Sequence, residues 1–159
     1  MQLSKRLVAA LAATLAVILM AATASAGGAE VTRGDLEPFA AGIGAYDDLA
    51  GNAQMVRTPS GLTIVSVTVS GLTAGDIYGS HVHNQPCEVG EAGGHYSFGF
   101  PVPGGAHASG SEIWPGPFTA NPAGNAQGKA TVGAVAGPAA VSVVIHAPDG
   151  AKIACADLA

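Results

Sequence analysis

All five histidines fall between positions 81 and 146, and none occurs in the first 80 residues. His81-Val82-His83 has the spacing that puts two imidazoles on one face of a strand and the intervening valine on the other. Two rings so placed can chelate a single ion. His95 follows Cys87, and His146 ends a separate apolar stretch whose Val143 and Ile145 face the opposite way. Neutral imidazole suits copper and zinc. Taken alone, the His-x-His pair reads equally well as two solvent-facing strand residues.

The elements that must carry these residues are strands. Leu62 to Val69 alternates, with Val65, Val67 and Val69 on one face and Ile64, Ser66 and Thr68 on the other. Asn52 to Thr58 precedes it across the turn Pro59-Ser60-Gly61, and Ile77–His83 follows the turn Ser70 to Gly75. Further strands are expected at Gly128 to Val135, Ala140 to His146 and Lys152–Leu158. Between them, residues 84–127 form a long Gly-, Pro- and Asn-rich region, a length that points to a functional loop. Residues 27–48 hold several acids without periodicity and read as a loose N-terminal extension. Outside the first 26 residues there is no helical stripe, repeat or phosphate-binding glycine loop. The pattern predicts an all-β fold, an antiparallel β-sandwich or barrel.

Composition agrees. Of 159 residues, 48% are hydrophobic and only 11% charged, with 23 glycines and 10 prolines, which excludes collagen and disorder. No basic run or stripe is present, which excludes nucleic acid as a partner. Lys5 and Arg6, the apolar run from Leu7 to Ala22, and Ala24-Ser25-Ala26 form a cleavable signal peptide over 1–26. The run is short for a membrane span, and no cysteine stands near the cut to carry a lipid. Cleavage would leave four cations against eleven acids, a net charge of −7 over 133 residues. The expected product is exported, periplasmic or extracellular, with no stable membrane anchor. Cys87 and Cys155, an even count in an oxidising compartment, read as a disulfide, two buried free thiols being the alternative.

The order of these residues is more specific than any one of them. Gly79-Ser80-His81-Val82-His83, then Cys87, then Gly93-Gly94-His95-Tyr96, then Val144-Ile145-His146-Ala147, then Lys152-Ile153-Ala154-Cys155 resembles the copper-zinc superoxide dismutase family. Val67 to Gly75 is similar to that family's strand and turn, and the resemblance covers roughly residues 50–158. It implies an eight-stranded Greek-key sandwich over 51–159, after a 27–50 extension. It further implies copper held by His81, His83, His95 and His146, with His95 in the place of the metal-bridging histidine. Cys87 and Cys155 would form the intrasubunit disulfide.

The departures are informative. Where the family supplies two more histidines and an aspartate for zinc, only His107 and Glu112 stand here, too few for a closed zinc site. Only five residues separate His146 from Lys152, and Lys152 occupies the place of the substrate-guiding arginine. These features resemble the copper-only branch of the family, with zinc not expected. His107 reads as a residual ligand, a partner behind a ligand, or a solvated loop residue. Glu112 is a candidate to hold His95 from behind. Tyr78, Tyr96 and Trp114 read as packing residues, and Glu88 and Glu91 as solvated loop charges. The implied activity is copper-dependent dismutation of superoxide to oxygen and peroxide, with His95 and Lys152 catalytic. The alternative is a non-catalytic module that stores or delivers copper.

Overall fold

The computed structural model describes residues 27–159, so the signal-peptide reading of 1–26 lies outside the described residues. Nine strands follow in chain order: β1 (Glu30–Asp35), β2 (Glu37–Pro38), β3 (Ala50–Arg57), β4 (Thr63–Ser70), β5 (Ile77–His83), β6 (Phe118–Thr119), β7 (Ala126–Val132), β8 (Ser142–His146) and β9 (Lys152–Asp157). They form two antiparallel sheets, ordered β1-β3-β4-β7 and β2-β9-β8-β5-β6, and no helix occurs among the described residues. The protein is an all-β sandwich.

Alternation builds the core. Val65, Val67 and Val69 of β4 are buried, as are Ala53 and Met55 of β3, and they meet Tyr78, Val82, Val143, Ile145 and Ile153 from the other sheet. Thr68, between two buried valines, is exposed. The expected strands from Gly51 onward are present, with ends shifted by a few residues.

Two expectations need correction. Residues 27–50 are not a loose extension: β1 pairs along its whole length with β3, and β2 pairs with β9. The sandwich therefore begins near Glu30. Its edge strand is exposed on one side, so Glu30, Arg33 and Asp35 break the hydrophobic periodicity. Residues 84–127 are not wholly irregular either. They contain β6, the opening of β7 and three isolated bridges, His83 to His95, Ser97 to Glu112 and Ala106 to Glu112.

The five-stranded sheet has a second buried surface. Its outer face carries Val144 and Cys155, covered by Ala92 and Cys87. Cys87 and Cys155 are bonded, with Cα atoms 5.7 Å apart, so the segment after β5 is fastened to β9. The site lies on this outer face.

Candidate metal centre

β5 supplies the first two imidazoles. His81 and His83 point to one side with ring planes 10° apart, while Val82 between them enters the core. β8 lies beside β5 with Gly79 opposite His146, which brings the third ring to the same face. The chain then turns back from Cys87, and His95 bridges to His83. Ring centroids of His95 lie 4.2 Å from His81 and 5.0 Å from His83. One ligand atom from each of the four histidines falls within a 4.8 Å cluster.

The remaining ring atoms are disposed as a metal requires. Gly150 O lies 3.1 Å from His146 Nδ1, so the proton sits on that nitrogen and Nε2 is bare. That Nε2 comes within 3.4 Å of His83 Nε2. Glu112 Oε2 lies 2.8 Å from His95 Nδ1, which again leaves Nε2 as the free donor atom. His83 also turns Nε2 toward His146, with the backbone of Ala92 behind its ring, while Nδ1 of His81 is buried without a hydrogen-bond partner, a rare condition for a buried polar atom. Four converging imidazoles, one with an orphaned nitrogen, fit a metal ion of imidazole preference.

Electrostatics favour the neutral form of His81, His83 and His146. Burial, followed by the neighbouring charges of His95, His146, His83 and His107, pushes His81 down to about 3. Burial, then His95 and Lys152, does the same for His83, also to about 3. Burial lowers His146 too, opposed by its bond to Gly150 O. Unfolded histidines titrate near 6.5, so below that pH the unfolded chain takes up protons that the fold refuses. Stability conferred by the neutral rings of His81 and His83 is fully present above pH 6.5 and is lost as the pH falls toward 3. Acidifying metal-free protein from pH 6.5 to 4.5 should cost on the order of 2 kcal/mol, allowing for the partial exposure of His81. Urea melts across that range check it, and a bound metal should postpone the loss.

Other candidate residues take distinct places. Glu112 stands behind His95, its side chain 12% exposed, and its Oε2 also accepts the Trp114 indole N–H at 2.7 Å. His107 is a half-exposed loop residue, 3.7 Å from Glu112 Oε1, and is not one of the four converging rings. Lys152 lies opposite His146 because a bulge shifts the β8–β9 register after Ile145. Its ammonium donates to the carbonyls of Glu91 and Gly93, both at 2.7 Å. Glu88 and Glu91 are exposed. Tyr78 and Tyr96 are buried packing residues whose hydroxyls accept from Thr73 N and Gly137 N. Trp114 also packs, and what it packs against is His81, ring centroids 4.2 Å apart. The signal that could have found it is its place two residues after Glu112, on the same side of an extended segment.

Among the described residues one other group converges, Cys87, Cys155 and Asp157, and its two sulfurs are bonded to each other. A cleft of about 640 Å³ between β3, β4, β6 and β7 shares no residue with the histidine cluster and is lined by no charged side chain. It has no part in this chemistry. Fold and site together define an all-β sandwich bearing a four-imidazole cluster able to hold one metal ion. No family model matches this chain, and no curated protein matches it.

Proposed function

We propose that this protein is an exported copper enzyme that dismutates superoxide, with the metal held by His81, His83, His95 and His146. The observation that carries the reading is the four-histidine cluster, with the Glu112 carboxylate behind His95. Its order along the chain is the one that resembles the copper-only superoxide dismutases. Copper, when bound, would supply the one-electron couple that oxidises one superoxide and reduces another.

The rest is the work of this chain's residues. His83, with no solvent exposure, and His146, tethered to Gly150 O, have their ring orientations fixed by the fold and would hold the metal from two sides. His95 is more accessible, its side chain 31% exposed, and is held from behind by Glu112. With Nδ1 engaged there, Nε2 is the atom that can carry a proton to the product peroxide. Lys152 brings a positive charge near His83 and His146. Two of its three N–H groups serve carbonyls, which leaves one for an incoming anion. The net charge of a cleaved chain would repel superoxide at long range, so attraction is local to Lys152.

Metal analysis after loading with both ions should give one copper per chain and no stoichiometric zinc. The copper-loaded protein should remove superoxide far faster than copper held by a simple chelator. Equal rates would replace the enzyme with a copper store or carrier, a reading favoured by the prior commitment of the Lys152 ammonium to two carbonyls.

A further inference from the structure

Trp114 is the only tryptophan in the chain, and it touches the metal centre in two ways. Its ring lies over His81 with centroids 4.2 Å apart and planes tilted by 34°. Its indole N–H donates at 2.7 Å to the same Glu112 oxygen that His95 Nδ1 meets at 2.8 Å. His81 and His95 come from β5 and from the loop after it, and no hydrogen bond joins their rings to each other. Trp114 spans the two.

Its own position is fixed by the backbone. Ile113 O accepts from Val82 N at 3.0 Å, and Gly116 N donates to Ser80 O at 3.3 Å, so this segment runs beside β5. At Gly116 a side chain is excluded, because a Cβ there would stand 2.6 Å from Ser80 N. Ile113 is fully buried, which anchors the segment from its other face. The indole is thus carried by a rigid strip of chain.

We propose that Trp114 is a positioning residue of the metal centre, its ring face setting His81 and its N–H setting, through Glu112, the orientation of His95. The inference rests on the metal reading above and adds to it how two ligands from different elements are preorganised. His83 and His146 do not depend on it: one is fully buried on the outer face and the other tied to Gly150. Removing a group that orients a metal ligand commonly weakens the metal by about 10- to 100-fold.

The test uses Trp114→Phe, which keeps an aromatic face for His81 and deletes the N–H, together with Glu112→Gln and the double variant. Copper(II) is the probe. Trp114→Phe should bind it about tenfold more weakly and change the Cu(II) electron paramagnetic resonance parameters, with the thermal midpoint of the metal-free protein little moved. In the metal-free protein its His95 ring nitrogen resonances should shift while those of His146 stay. Combined with Glu112→Gln, it should add much less than its own single effect, since both act on one contact. In wild type, copper should quench the single indole's fluorescence at one equivalent. Unchanged copper affinity and unchanged His95 resonances in Trp114→Phe would overturn the proposal, as would full additivity with Glu112→Gln. None of these readouts uses superoxide, so failure of the enzyme reading appears separately, in the wild-type turnover.

Discussion

His95→Ala should retain close to one copper per chain and lose at least about 100-fold in the rate of superoxide removal, the range expected for loss of a positioned proton donor. Three imidazoles remain to it, including the enclosed His83 and the tethered His146. What disappears is the one ligand whose back nitrogen is held by a carboxylate and whose front nitrogen is accessible. His83→Ala should behave in the opposite sense. It removes a ring with no solvent exposure and leaves a cavity against His146, so copper itself should be lost. Metal content and turnover, measured on the same preparations, separate the two. If His95→Ala lost copper as completely as His83→Ala, its role would be ligation alone.

The second large effect belongs to the disulfide. Replacing Cys87 and Cys155 together by serine should cost about 4 kcal/mol, from the 68-residue separation that the bond closes. For a domain of this size that corresponds to roughly 10–15 °C in Tm. The cost should fall unevenly. Residues 90–93 form a turn in which all four φ angles are positive, among them those of Glu91 and Ala92, conformations that non-glycine residues adopt at a cost. Ala92 is buried beneath this turn against Val144 and Cys155. Freed from Cys155, the segment bearing His95 should open before the rest of the sandwich. Hydrogen exchange should rise first at residues 88–95, and copper affinity should fall with it. A uniform rise across both sheets would show instead that the bond supports the fold as a whole.

Much of this arrangement is written in local pattern. The faces of β4 and the shared face of His81 and His83 follow from strict alternation, which needs no partner to be read. That His95 and His146 join that pair is legible only through the family resemblance that the order of the motifs carries, since no local pattern brings the loop or β8 to β5. Other features depend on contacts that alternation does not encode. β1 is legible only through its partner β3, because an edge strand is free to carry acids on its exposed side. The place of Glu112 requires the loop to fold back so that Ala106 and Ser97 both bridge to it. Reading Lys152 as a guiding cation misses its bonds to Glu91 and Gly93, since those carbonyls reach it only after the disulfide and the left-handed turn bring the loop to β9. Even its placement opposite His146 depends on a bulge.

The turn between His146 and Lys152 closes on itself: Ala147 N donates to Ala151 O, Gly150 N to Ala147 O, and Ala151 N to Asp149 Oδ1. The same turn presents Gly150 O to His146. In kinetic terms the centre has no door on this side. On the function proposed above, a small anion arriving there would meet a finished surface, and its entry should scale with solvent viscosity, with no opening step of this turn ahead of it.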